Sequence, residues 1–300
     1  MKTIWGIDLG GTKIEGVVLD KDFKTIARKR VPTGKEHGYE YIINQVAKVV
    51  SLLAEEVGHR PARLGIGTPG AIDPALQTMK NSNATCMNGK PVQKDLEAVL
   101  GFPIQMANDA NCFALAEARM GIVQDEMPDA KVVFGVIMGT GVGGGLVINN
   151  KIIGGRHGIS GEWGHVFLDE SGGKCYCGKI GCVETIISGP FVQKYYTSLT
   201  GEKVIMKEIM ERYHAGNDEA AQQTLERLLE MFGKGMSLIT NIIDPDCIVI
   251  GGGLGNIDLL YTEGVERVKK YLFNHKLDTK FLKPKLGDSA GVFGAAMLVA

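Results

Sequence analysis

"GIDLGGTKIEGVVLD" (Gly6 to Asp20) and "GVIMGTGVGGGLVIN" (Gly135 to Asn149) align without a gap. Gly6 falls on Gly135, Gly10 on Gly139, Gly16 on Gly145 and Val18 on Val147. Each segment is a β-like apolar run, a glycine turn and a second β-like run, the mark of a duplicated strand–turn–strand unit. Backbone N–H groups turned inward at such a turn form a nest for an anion such as phosphate. Gly139, Gly141 and Gly144 also satisfy G-x-G-x-x-G, the dinucleotide fingerprint, which requires a helix directly after the turn. "GGLVINNKIIGG" follows instead. Its β-branched residues and the Asn149-Asn150 turn signal predict a strand and hairpin, so the dinucleotide reading fails on context.

Outward from these hairpins the pattern alternates between strand and helix. "YEYIINQVAKVVSLLAEEVG" has helical apolar spacing and a stop at Gly58. "RLGIGTPGAID" (Arg63 to Asp73) is a short strand entering a Pro-Gly turn. "IQMANDANCFALAEARMG" (Ile104 to Gly121) passes from strand to helix, with Asn108 or Asp109 opening the helix and Gly121 closing it. "VQDEMPDAK" (Val123 to Lys131) reads as a linker, Asn217 to Ile243 as a long helix, and "CIVIGGGLGN" (Cys247 to Asn256) as a buried strand running into a helix. The expectation is two similar α/β lobes facing a cleft. The glycine clusters, among 41 glycines in 300 residues, point to close approach of the backbone to a ligand.

Composition narrows the class. A net charge of −1 gives no electrostatic reason to expect nucleic acid or an anionic membrane. No apolar run approaches the ~18 residues of a transmembrane helix. The first residues, "MKTIWGIDLGGTK", lack a signal-peptide pattern, so a cytoplasmic protein is expected, in a compartment that disfavours disulfides.

The six cysteines then ask for another use, and three of them sit in "GHVFLDESGGKCYCGKIGC" (Gly164 to Cys182). His165, Cys175, Cys177 and Cys182 offer one imidazole and three thiolates, the donor set of a structural zinc. Glu162 and Glu184 flank the cluster. With zinc on one ring nitrogen of His165, the other is free to bond a ligand, and two carboxylates with an imidazole edge suit sugar hydroxyls. Asp109, in "NDAN", reads equally as a general base or a helix N-cap. Asp8, in "GIDLGGTK", reads as a contact to a metal–nucleotide complex or as a turn stabiliser.

Together these segments resemble the ROK family, the repressor–open reading frame–kinase group of sugar kinases and sugar-responsive regulators, over nearly the whole chain. "GIDLGGTK" and "GTGVGGG" look like its two phosphate motifs, "GIGTPG" and "NDAN" its sugar-side segments, "GEWGH" with "CYCGKIGCVE" its zinc signature, and "IVIGGGLGN" its adenosine-side segment.

The resemblance implies an α/β fold of two actin-like, ribonuclease-H-like lobes around a cleft. Residues 1–121 would form the first lobe, joined by a C-terminal helix at 288–300, and 122–287 the second. It implies phosphoryl transfer from Mg-ATP to the 6-hydroxyl of a hexose, with Asp109 taking the proton. Asn83, Asn108, Asp109, Glu162, His165 and Glu184 would hold the sugar. Asp8, Gly10, Gly11, Thr12, Lys13, Gly139, Thr140, Gly141, Gly143, Gly144, Gly252 and Gly253 would hold ATP and its Mg²⁺, and Zn²⁺ would be structural. A homodimer is expected.

"KNSNATCMNGKPVQKDL" (Lys80 to Leu96), "GEWGH" and "CYCGKIGCVETIISG" resemble the fructokinase and mannokinase branch, while "NDANCFALAEA" is also similar to N-acetylglucosamine kinases, so fructose or mannose is the expected substrate. N-acetylglucosamine kinase and glucokinase are the alternatives. The nine residues between His165 and Cys175 are fewer than that branch has and resemble the glucokinase form. The family's repressors carry a winged DNA-binding domain ahead of a hairpin that begins here at Gly6. That and the balanced charge argue against a DNA reader. Asp109 and both phosphate hairpins argue against a non-catalytic sugar sensor.

Overall fold

A computed structural model describes residues 3–300. Met1 and Lys2, the first two residues of the expected first lobe, lie outside the described residues. In chain order the strands are β1 (Ile4–Leu9), β2 (Lys13–Leu19), β3 (Thr25–Pro32), β4 (Leu64–Thr68), β5 (Ala71–Ile72) and β6 (Met79–Lys80). They continue with β7 (Ile104–Asn108), β8 (Val132–Met138), β9 (Val142–Ile148), β10 (Lys151–Ile152), β11 (Cys247–Gly251) and β12 (Lys280–Leu282). The α-helices are α1 (Tyr39–Val57), α2 (Val92–Leu100), α3 (Asp109–Arg119), α4 (Ile122–Glu126) and α5 (Glu184–Ile187). After them come α6 (Gly189–Thr200), α7 (Met206–Ala215), α8 (Glu219–Ile243), α9 (Glu263–Lys270) and α10 (Ala290–Met297).

The duplication read in the glycines holds at the level of sheet order. One five-stranded sheet runs β3-β2-β1-β4-β7 and the other β10-β9-β8-β11-β12, the same order once each is counted from its own glycine hairpin. In the first, β1 pairs antiparallel with β2 and parallel with β4. In the second, β8 and β12 pair parallel with β11. As expected, a strand and not a helix follows the second glycine turn. The Asn149-Asn150 pair turns β9 into β10, both residues having positive φ (50° and 61°).

The chain forms two compact units: unit 1 holds the described residues up to Asp129 with Gly145–Gly161 and Lys285–Ala300, and unit 2 holds Ala130–Gly144 and Glu162–Pro284. Residues 145–161, placed by sequence in the second lobe, thus group with unit 1. The reason is packing: Gly145 is pressed against the backbone of Ala110 and Asn111, and β10 lies on α3. The segment read as a linker is partly helical, since α4 occupies its first turn.

In unit 1 strand alternation decides what each face sees. Trp5, Ile7 and Leu9 of β1, with Leu64 and Ile66 of β4, enter the main core with Ile42, Val46, Val49 and Leu53 of α1. Gly6 and Asp8, with Gly65 and Gly67, therefore face the other way, toward α10 and α3. There α10 packs on β1, β4 and α3. A Cβ at Gly65 would fall inside the Ala295 carbonyl, one at Gly6 would strike the Ala296 amide, and one at Gly294 the Cys112 carbonyl. Three glycines thus set the contact distance on this face.

In unit 2, α8 is the spine. Asp218 caps it by accepting the Ala221 N–H at 2.9 Å, so the helix starts two residues later than Asn217. Leu225, Leu228, Leu229, Phe232, Met236 and Ile239 form its buried stripe, against which α5, α6, α7 and α9 pack. No helix among the described residues is long and apolar enough to cross a membrane.

Candidate active site

In unit 1 the candidate residues sit at the ends of β1 and β7. The first glycine turn closes with Gly10 N–H donating to the Lys13 carbonyl at 3.0 Å. Thr33 pins it from β3's side, its N–H donating to Thr12 O at 2.9 Å and its hydroxyl to Gly10 O at 2.6 Å. A Cβ at Gly11 would meet nothing within 4 Å, so the turn leaves open space where a ligand could press against bare backbone. Lys13, half exposed, is held 3.6 Å from Glu15, a buried carboxylate that also pairs with Arg28 and, at 2.8 Å, with Arg30.

Asp8 points from β1 toward α10, where a Cβ on Gly291 would come 3.1 Å from its Oδ2. Burial pushes its carboxyl up to about 6, and the carboxylates of Asp109 and Glu15 push the same way against Lys13.

The structure separates the two readings of Asp109. Asn108 is the N-cap of α3, extended at φ −66° and ψ 153°, and its Oδ1 accepts the N–H groups of Ala110 (2.9 Å) and Asn111 (3.2 Å). Asp109 is the exposed first residue of the helix, with Oδ1 accepting the Ala110 N–H at 2.8 Å. Of Asn108, only the amide –NH₂ is left to reach a ligand. Asn83 lies exposed in the loop after β6, where Ser82 and Asn88 close the turn around it.

In unit 2 the second glycine turn closes with Gly139 N–H on Gly141 O at 2.9 Å, and Gly189 N–H also donates to Gly139 O. Thr140 is exposed at the tip, and a Cβ at Gly139 or Gly253 would meet nothing within 4 Å. Gly252, at φ 80°, is pressed against the Met138 backbone, tying the end of β11 to the end of β8.

Glu184 turns out to brace this hairpin: its Oε2 accepts the Val142 N–H at 3.0 Å. Trp163 does the same from the other side, its indole N–H donating to Gly143 O at 2.9 Å. Gly143 and Gly144 therefore sit in a braced strand.

The His–Cys loop is brought together as its spacing implied. Donor atoms of His165, Cys175, Cys177 and Cys182 all lie within 4.8 Å of one another. Cys175 Sγ is 3.6 Å from His165 Nδ1, and Cys177 Sγ is 3.5 Å from Cys182 Sγ. Zinc–sulfur bonds of ~2.3 Å at tetrahedral angles give edges of about 3.8 Å, so the donor set fits that ion. Gly178 (φ 88°) and Gly181 (φ 76°) supply the left-handed turns that wrap the loop. All six cysteines are free thiols.

His165 Nε2, on the side away from Cys175, meets the Tyr176 hydroxyl at 2.9 Å. Partial burial, with the Glu184 and Glu162 carboxylates, raises that phenol to about 12. Glu15, Trp163, Thr33 and Tyr176 are the residues that reading the sequence missed.

The ROK family model matches residues 4–300. The chain belongs to the ROK family. An N-acetyl-D-glucosamine kinase of Vibrio atlanticus is 37% identical to it, over 98% of both chains. A kinase of the same name from Pasteurella multocida is 35% identical over the same shares. Among solved structures, a ROK hexokinase from Thermus thermophilus superposes with a TM-score of 0.87 at 29% identity, covering 98% of this chain and 97% of its own. A ROK glucokinase from Streptomyces griseus, in complex with glucose and AMPPNP, gives 0.78 at 28%, covering 99% and 98%. The α/β sugar-kinase fold expected from the motifs is therefore shown, and the relatives carry the coarser reading, an ATP-dependent sugar kinase.

They overturn the finer one. The full-length curated relatives named above are N-acetyl-D-glucosamine kinases, not fructokinases or mannokinases. The segment that suggested fructose, Lys80 to Leu96, explains the error: Met87, Val92 and Leu96 are core, and Asn88 closes a turn.

Proposed function

We propose that this ROK protein is an ATP-dependent N-acetyl-D-glucosamine kinase that moves the γ-phosphoryl group of ATP to the sugar's 6-hydroxyl. The observation that carries this is the identity of 34% to 37%, over 98% of this chain and of each relative, to kinases of that name.

In this reading Asp109 takes the proton of the 6-hydroxyl. The helix start holds it in place, its Oδ1 accepting the Ala110 N–H beside the Asn108 cap. Such a positioned base contributes about 10²–10⁴-fold. Asn108, Asn83, Glu162, His165 and Glu184 would hold sugar oxygens. Gly10 to Lys13, Gly139 to Gly144, Gly252 and Gly253 would cradle ATP with backbone N–H groups. Asp8 would hold Mg²⁺, which neutralises phosphate charge when bound; the raised carboxyl fits a group that lacks its counter-charge. His165, Cys175, Cys177 and Cys182 would hold zinc, which stiffens the loop carrying His165 and stays outside the chemistry.

ADP release measured with N-acetylglucosamine, N-acetylmannosamine, glucose, fructose and mannose, each alone, tests the assignment. The highest kcat/KM is expected on N-acetylglucosamine, and a preference for any other sugar refutes it.

A further inference from the structure

Unit 1 holds a cavity of about 540 Å³ that the reaction above does not use, a size within the range of small-molecule sites. It forms where the end of α3, the β9–β10 hairpin and the chain beyond α10 meet the edge strand β7. Gln105, Arg119, Asn149, Asn150 and Lys151 give it a polar lining, and Leu115 and Ile152 an apolar one. The left-handed turn at Asn149 and Asn150 leads straight into Lys151, and Arg119 is the last residue of α3.

Both cations lack a counter-charge. Arg119 donates to the Met297 carbonyl at 2.8 Å, which anchors the guanidinium. Among the described residues neither it nor Lys151 pairs with a carboxylate, that of Ala300 included, although Ala300 also lines the cavity. Burial alone lowers the Arg119 pKa. The carbonyls that end α3 oppose an anion, but those of Ala116 and Ala118 are already bonded by Met120, Gly121 and Gln124. A half-buried guanidinium held by one carbonyl beside open space is suited to an anion.

Two cations match the near-double charge of a phosphate monoester, whose oxygens a guanidinium fork meets in pairs. Side-chain amides both donate and accept, as sugar hydroxyls require. We propose that this cavity binds a hexose phosphate, with Arg119 and Lys151 on the phosphate and Gln105, Asn149 and Asn150 on the hydroxyls. Asp109 opens α3 and Arg119 closes it, so the occupant is a second ligand and not the substrate.

Calorimetric titration of N-acetylglucosamine 6-phosphate into protein saturated with N-acetylglucosamine and AMPPNP tests this, because the reaction site is then filled. About one equivalent per chain should bind. Lys151→Gln, at an exposed position, should weaken that binding about tenfold, the scale of one charged hydrogen bond. Its kcat and both KM values should stay at wild-type level when no sugar phosphate is added. Lys24→Gln, which removes an exposed charge from the β2–β3 turn, should bind like wild type. No binding to the filled protein overturns the proposal, as does an affinity that Lys151→Gln leaves unchanged or that Lys24→Gln weakens equally. Inorganic phosphate binding as tightly as the sugar phosphate overturns the hexose assignment. Should the wild type act on another hexose, the substrate assignment falls, and that hexose with its 6-phosphate decides the cavity in the same titration.

Discussion

Asp8→Asn should make the ligand-free protein more stable at neutral pH while disabling it. In the fold the Asp8 carboxyl titrates at about 6 against an ordinary 3.8, because β1 carries it into a buried face beside Asp109. A shift of about two units at 1.36 kcal/mol each is about 3 kcal/mol. The sign follows from which state holds the proton. Between 3.8 and 6 the folded carboxyl is protonated and the unfolded one is not, so stability rises as pH falls through that window. Above 6 both are ionised, and the fold bears the full cost of a buried charge. Asparagine has the same shape without the charge.

Urea unfolding without nucleotide or magnesium should therefore find the variant more stable by up to about 3 kcal/mol at pH 7.5. The advantage should shrink below pH 6 and be gone near pH 4. Activity should fall about a hundredfold or more, since a charge aimed at the metal–phosphate complex is lost. A variant no more stable than wild type at pH 7.5, or one whose advantage does not change with pH, would refute the reasoning. Activity sites that store instability in this way are a recognised trade-off.

Asp109→Asn should lower kcat about 10²–10⁴-fold while sugar binding, measured by calorimetry, persists; near-normal kcat removes it from the role of base. Elemental analysis should find about one zinc per chain, and chelation should open the Gly172–Gly181 loop to protease. A zinc-free preparation equally resistant to protease would contradict this. Gly65→Ala should destabilise unit 1 by about 1–3 kcal/mol, the usual scale of overpacking. Gly154→Ala, where a Cβ meets nothing within 4 Å, is the control that should unfold like wild type.

The hairpin duplication, the α1 boundaries, the start of α3 and the His–Cys cluster were legible in the sequence because each depends on local spacing, whereas Gly121, read as closing α3, opens α4 instead. A four-donor knot within eighteen residues needs no distant partner to be recognised. The purpose of the glycines was less legible. Among the clusters read as ligand approaches, Gly11 and Gly139 border open space. Gly6, Gly16 and Gly145 instead make room for α10, α1 and α3, and nothing local distinguishes a glycine beside phosphate from one beside a helix. Trp163 and Tyr176 escaped notice for a related reason. Their partners, Gly143 O and His165 Nε2, are set by how loops close, and an aromatic residue inside a motif looks the same whether it braces or binds. Glu15 could have been suspected from β-alternation: Arg28 and Arg30 lie on one face of the neighbouring strand, opposite it.

Strand β1 and the helix that roofs it, α10, lie far apart along the chain. From Leu9 to Ala290 the ribosome must add 281 residues before Gly6 and Gly65 meet α10. Without α10 the Gly6 and Gly65 face of the sheet lacks the helix that packs on it. The surroundings of Asp8, with Gly291 against its carboxylate, are thus complete only when these distant segments meet. The face around Asp8 is therefore a long-range feature, which no local stretch of the chain can form by itself.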